Sequence, residues 1–332
     1  MTQPAAPAAF AGAAAPLELA MSVTTTLSDS TGLAPSVAAP ASAASGDALM
    51  RVARVVDGRA SSDGDGVKLT RVLEPELAAL IDPFLLFDEF RSDTAADYIG
   101  GFPPHPHRGF ETVTYMMAGR MRHGDNKGNR GDLSPGSVQW MTAARGIVHE
   151  EMPQQEQGLM WGFQLWVNLP GVNKMDDPAY QDIAPGSIPR VQRADGVQAR
   201  VVAGSFAGDD GTPVHGPVRE RPTQPTYLDL TVPAGQTFHW TAPAGHTVLV
   251  HGIEGEFGVG PDAAPLRPHR MAILRASDTA SVLRVQAGDT PGRFLLIAGR
   301  PLREPVAHYG PFVMNSREEV MQAVQDYRAG RF

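Results

Sequence analysis

The chain has 332 residues with 28 basic and 36 acidic side chains, a formal charge of −8, so it carries no basic footprint for duplex nucleic acid or an anionic membrane. With no Cys, disulfides, iron–sulfur clusters and thiol catalysis are excluded, and any metal must be held by His and carboxylate. At roughly 150 residues per domain the length suggests two domains.

Residues 1–48 contain sixteen Ala, and most of the rest are Ser, Thr, Pro and Gly. Only Glu18, Asp29 and Asp47 are charged, and the first basic residue is Arg51. A secretory signal needs a basic start followed by an apolar stretch, and Pro4, Pro7 and Pro16 interrupt the Ala runs. The expectation is a disordered tail, too poor in large apolar groups to offset its ordering entropy. Met21 or Met50 could serve as the start. No stretch of about 18 unbroken apolar residues predicts a membrane span, so the cytoplasm is the default location. Arg outnumbers Lys by 25 to 3, a composition suited to a GC-rich, bacterial genome.

From Val52 onwards short apolar alternations are punctuated by Gly and Pro, which predicts an all-β chain. Thr112-Val113-Thr114-Tyr115 alternates. Leu159 to Leu169 alternates further, with Trp161, Phe163, Leu165 and Val167 on one face and Met160, Gln164, Trp166 and Asn168 on the other. Asn173 to Arg193 reads as a connection between domains. A second strand-rich unit runs from about Gly196 to Gly299 and weakly echoes the first. Thr112-Val113 leads to Gly119 as Thr247-Val248 leads to Gly255. The pattern suggests a duplicated β-barrel, with units at about 52–180 and 181–300 and a terminal segment at 301–332. In that segment Asn315/Glu318 and Ser316/Glu319 form overlapping capping boxes. Val320, Val324 and Tyr327 follow at helical spacing and predict an amphipathic helix packed on a barrel.

Gly101-Phe-Pro-Pro-His105-Pro-His107-Arg-Gly-Phe-Glu111 carries the chemistry. In an extended chain residues i and i+2 point the same way, so His105 and His107 project into one interior. Gly146-Ile-Val-His149-Glu150-Glu151 repeats the arrangement, with His149 and Glu151 on one face and Glu150 on the other. Two neighbouring strands would each bring two ligands to one point. Three imidazoles and a carboxylate suit iron(II), manganese, nickel, copper, cobalt or zinc. Pro106 has no ladder donor, so its strand should lie at an edge or a bulge. Phe110, Trp140, Met141, Trp161 and Trp166 are candidate walls of an apolar cavity, and Gln139 or Gln164 could orient a bound water or oxyanion. His239, His246, His251 and His269 are scattered and read as turn or surface residues without a metal.

His105-Pro-His-Arg-Gly-Phe-Glu-Thr-Val-Thr-Tyr and Gln139-Trp-Met-Thr-Ala-Ala-Arg-Gly-Ile-Val-His-Glu-Glu-Met resemble signatures of the pirin family. Gln164-Leu-Trp-Val-Asn-Leu-Pro, Leu295-Leu-Ile-Ala-Gly-Arg-Pro-Leu-Arg-Glu-Pro-Val and Gly310-Pro-Phe-Val-Met-Asn extend the resemblance from about Val52 to the C-terminus. It implies two tandem cupin jelly-roll barrels, with one divalent metal, iron(II) foremost, in the N-terminal barrel. The implied ligands are His105, His107, His149 and Glu151. Many cupins take the carboxylate at the position of Glu111; the pirin pattern takes Glu151 and leaves Glu111 a supporting role.

The same resemblance implies two functions. The first is a quercetinase, a dioxygenase that opens flavonols or related catechol or enediol compounds with O2 and releases carbon monoxide. Glu151 would then be the catalytic base as well as a ligand. The second is a redox-sensing regulator that acts through protein partners. The bacterial composition and the lack of a basic run favour the enzyme, with a small-molecule substrate and no direct nucleic-acid or membrane partner.

Overall fold

The structure is a computed structural model that describes residues 22–24 and 49–332. The expected disordered tail lies outside the described residues except at Ser22–Thr24. There the backbone runs as a short strand beside Val306–Tyr309, which supplies its hydrogen-bond partners.

The chain is mostly β, and its first half forms two facing sheets. β1 (Val52–Asp57), β2 (Arg59–Asp63), β3 (Val67–Leu73), β4 (Phe84–Ser92), β5 (Phe102–His107) and β6 (Phe110–Ala118) come first. β7 (Met121–Asp125), β8 (Arg130–Leu133), β9 (Val138–Thr142), β10 (Ile147–Pro153), β11 (Met160–Asn168) and β12 (Ala179–Ile183) follow. The large sheet has the order β12-β9-β6-β11-β4-β3-β2, and the small one β5-β10-β7-β8.

The second half repeats this plan. Its large sheet runs β1, Arg270–Leu274, Thr247–Glu254, Gly292–Gly299, Thr226–Val232, Gln198–Ala203, Arg190–Gln192. Its small sheet runs Thr237–Ala242, Ser281–Ala287, Phe257–Val259, Ala264–Leu266. The echo between Thr112 and Thr247 is therefore topological, since β6 and Thr247–Glu254 hold equivalent places. Two strands depart from the sequence reading. β1 pairs with Arg270–Leu274 of the second unit. β12, within the expected connection, pairs with β9 and closes the first large sheet. Neither could be read from alternation, because an edge strand is decided by which sheet offers an open row of backbone donors and acceptors.

The large sheets pack face to face. Trp161, Phe163, Leu165 and Val167 of β11 join Phe87, Tyr115 and Trp140 in one buried cluster with Tyr227, Leu249, Ile273 and Leu295 of the second unit. Each such side chain contributes about 1.5–3 kcal/mol by burial. Polar contacts fix the registration of the two units. Tyr115 donates to Asp229 at 2.6 Å, and Arg293 donates to both Asp229 oxygens at 2.9 and 2.7 Å. His251, expected at a turn or the surface, is fully buried at this junction, 3.5 Å from Glu89. It shares a strand face with Leu249 and Ile253, and that face meets the first unit.

The C-terminal segment returns to the first unit. The amide of Arg108 donates to Pro311 O at 3.2 Å, and that of Val313 to Arg108 O at 3.0 Å. The helix α1 (Arg317–Arg328) begins with a capping box of Ser316 and Glu319, the second of the two expected, and buries Val320, Ala323 and Val324. Among the described residues no helix is long and apolar enough to cross a membrane.

Candidate metal centre

β5 and β10 are antiparallel neighbours, with His105 opposite His149 and Pro106 opposite Val148. β5 is an edge strand, so the missing donor of Pro106 costs no ladder bond, as the sequence demanded. Strand parity turns His105, His107 and His149 to one side. Their ring centroids are 4.3 Å apart for His105 and His149, 4.7 Å for His105 and His107, and 5.0 Å for His107 and His149. One nitrogen from each ring lies within 4.8 Å of the others.

Hydrogen bonding selects the ring nitrogens that remain available. Nδ1 of His105 is 2.9 Å from Pro103 O and is the donor there, which leaves Nε2 as an acceptor. His107 has the Pro311 backbone as a partner, and its Nδ1 has none. Neither nitrogen of His149 has a partner, although the residue is fully buried. Buried imidazoles left unpaired cost free energy unless something accepts their lone pairs. Burial pushes His107 and His149 well below the ordinary histidine range, and the neighbouring imidazoles push in the same direction. Neutral rings with converging lone pairs and no thiolate in the chain fit a divalent transition metal.

Glu151 stands outside the three-histidine set but lines the same cavity as His105 and His107. A register shift follows His149, so Glu151 lies opposite Phe102. Its Oε1 accepts from Thr114 Oγ1 at 2.9 Å. Burial raises its carboxyl, opposed by the charge of His105 and by the Thr114 bond. Glu150 is half-buried on the opposite strand face. Glu111 accepts from Thr142 at 2.7 Å and lies 3.4 Å from Arg221 of the second unit. It tethers the two halves and is absent from the cavity wall.

The cavity has a volume of about 430 Å3, within the roughly 300–1,000 Å3 of small-molecule sites. Of the five expected wall residues only Trp166 lines it. Trp140 and Trp161 belong to the core between the barrels, because odd and even positions of a strand cannot face the same side. Met141 packs in a separate small cluster with Ile147, and Phe110 stands behind Trp166 with ring centroids 4.4 Å apart.

Thr114 is the supporting residue that sequence reasoning missed. Its signal was a hydroxyl between the inward-facing Thr112 and Met116. His123 was missed too: it is fully buried, pairs with Glu151 across β7 and β10, and places Nε2 2.9 Å from Asp182 Oδ2.

The turn after His107 is clamped from outside. Arg108 points away from the histidines, donating to Asp326 at 2.7 Å, with its guanidinium 4.3 Å over the Phe332 ring. Lys174, almost fully buried, donates to Gly109 O at 2.7 Å, Asn168 Oδ1 at 2.6 Å and Val313 O at 3.0 Å.

Comparison with known proteins gives a consistent result. A family model described as Pirin matches residues 66–167, and one described as Pirin C-terminal cupin domain matches residues 227–332. A Pseudomonas aeruginosa protein named as a candidate quercetin 2,3-dioxygenase is 52% identical over 82% of this chain and 94% of its own length. Human pirin is 44% identical over 81% of this chain and 89% of its own. The crystal structure of quercetin 2,3-dioxygenase from Acinetobacter baumannii superposes with a TM-score of 0.77 at 34% identity, covering 86% of this chain and 99% of that one.

Proposed function

The chain belongs to the pirin family, and from that premise we propose that it is a metal-dependent dioxygenase that cleaves flavonols or related catechol or enediol compounds with O2. The observation that carries this reading is the convergence of three imidazoles, two of which line a cavity of about 430 Å3 whose wall combines Leu69, Leu86, Phe90 and Trp166 with a few polar groups. The similarity to proteins named for quercetin 2,3-dioxygenase supports it.

His105, His107, His149 and Glu151 would hold the metal, and iron(II) is our choice for this donor set. When bound, the metal supplies a Lewis-acidic, redox-capable centre for the hydroxyl–carbonyl edge of the substrate and for O2. The chain supplies the rest. Glu151 takes the proton of the flavonol hydroxyl, and the burial that raises its carboxyl suits it to hold that proton. Thr114 fixes the carboxylate through Oε1, and the remaining carboxylate lone pairs are those that would serve the metal and the substrate proton. Trp166 offers an indole wall to an aromatic ring, and the buried Leu69, Leu86 and Phe90 make the inner end of the cavity apolar. One O2 enters and both its atoms leave in the ring-opened ester, while the carbon monoxide carries away C3 of the flavonol with its own former hydroxyl oxygen.

The regulatory reading needs the metal but no cavity, and the cavity favours the enzyme. The test is anaerobic loading with iron(II), then addition of quercetin and measurement of oxygen uptake and carbon monoxide. Turnover that depends on iron supports the reading. Fully loaded protein that consumes no oxygen with flavonols or other catechol-like compounds overturns it and moves the question to partner binding by ferrous and ferric forms.

A further inference from the structure

One polar row crosses the inner face of the first large sheet. Arg71 of β3 pairs in register with Asp88 of β4, Asp88 with Gln164 of β11, Gln164 with Thr114 of β6, and Thr114 with Gln139 of β9. Along the half of the row that starts at Arg71, positions two residues away on the same face are apolar: Leu69 beside Arg71, Leu86 and Phe90 beside Asp88, Trp166 beside Gln164. The far half of the row, at Thr114, holds Glu151. The near half, Arg71, Asp88 and Gln164, lines the cavity together with His105 and Glu151.

Stability does not explain the near half. Asp88 is buried, and Arg71 donates to its two oxygens at 2.9 and 2.8 Å and to Asp63 at 3.0 Å. Taking such a pair out of water costs about as much as its attraction returns, and an apolar pair of similar volume serves a fold as well or better. Each Asp88 oxygen accepts one bond from Arg71 and keeps capacity for another. Thr114 Oγ1 lies 2.9 Å from Glu151 Oε1 and 2.6 Å from Gln164 Oε1, so the Gln164 amide is anchored at its oxygen and its NH2 is left for the cavity it lines. An acceptor, Asp88, and a donor, Gln164, thus face the cavity on neighbouring strands. Asp88 lies two strand spacings, roughly 10 Å, from Thr114, about the span of two linked aromatic rings.

We propose that the Arg71–Asp88 pair and the Gln164 amide form a hydroxyl-reading wall of the substrate site. It selects planar aromatic ligands that carry hydroxyl groups on the ring remote from the metal-chelating edge. The inference rests on the dioxygenase reading for the placement of that edge. The remote hydroxyls donate to Asp88 and accept from the Gln164 NH2, while Phe90 and Trp166 contact the ring faces. Arg71 aims Asp88 through its two hydrogen bonds and opposes the rise that burial imposes on its carboxyl, which makes it a positioning residue.

The test compares quercetin, kaempferol and galangin, flavonols with two, one and no hydroxyls on the remote ring. Binding is measured without oxygen on zinc-loaded protein by quenching of tryptophan fluorescence, so that the readout is independent of turnover. The expected result is a Kd about 10–100-fold tighter for quercetin than for galangin. That ratio should fall to near 1 in the Arg71→Leu/Asp88→Leu double variant and to an intermediate value in Asp88→Asn, which keeps the shape of the pair if the double variant fails to fold. A wild-type protein that does not distinguish the three, or a preference that both variants keep, overturns the proposal. Turnover without selectivity sinks this inference and leaves the dioxygenase standing. Selective binding without turnover by the iron form does the reverse.

Discussion

His105 and His149 face each other across β5 and β10 with ring centroids 4.3 Å apart, and neither ring nitrogen of His149 meets another protein group. A fully buried imidazole held in this way is an acceptor without a donor, and a metal ion would resolve it. His149→Ala and His105→Ala are each expected to weaken metal binding by at least about 100-fold, measured by titration calorimetry with manganese or zinc. Retention of wild-type affinity in both would remove the metal centre from this place.

Glu151 and Glu150 separate chemistry from surface charge. Glu151→Gln preserves the shape and the Thr114 contact but removes the base, and flavonol turnover should fall by about 10²–10⁴-fold with partial metal retention. Glu150→Gln, on the other strand face, should change turnover by less than about 2-fold. Oxygen-uptake rates of the two iron-loaded variants decide it; the opposite ranking would overturn the assignment by parity.

Gly109 sits at φ +92° in the turn beyond His107, where a Cβ would lie 1.9 Å from the Val313 carbonyl oxygen. Gly109→Ala is expected to cost about 2–4 kcal/mol and to loosen the metal site with it. Gly128 has a similar φ of +94° and nothing within 4 Å of its added Cβ. Gly128→Ala should cost about 1 kcal/mol. Denaturant melts of the two variants separate steric clash from backbone strain.

Asp326 ties α1 to the strand that carries the histidines. Hydrogen bonds from Arg108, and then from Arg331, hold its carboxyl well below the usual carboxylate range. A carboxyl depressed in the folded state contributes stability above its unfolded value, about pH 4. That contribution is lost as the pH falls through the folded value. Proteolysis or hydrogen exchange should therefore show α1 loosening on acidification below about pH 4. Asp326→Asn should be looser at neutral pH already and lack that step. An acid step of equal size in the variant would assign it to other groups.

Much of the site was legible because its physics is local. The two-residue period of a strand determines that His105 and His107 share a face and that Glu150 and Glu151 do not, whatever the rest of the chain does. The absence of Cys confines the donor set to His and carboxylate. The Ser316/Glu319 pair marks the start of α1 by hydrogen bonds that span only three residues.

What the tertiary structure alone decided are relationships between strands distant in sequence. That β1 closes the second unit and β12 the first depends on which sheet edge lies open when the units pack. Which face of β11 meets the other barrel assigns Trp161 to the core and Trp166 to the cavity, a choice that alternation poses and only packing answers. The polar row from Arg71 to Gln139 joins five strands at one register, and register is a property of pairing that no single segment contains.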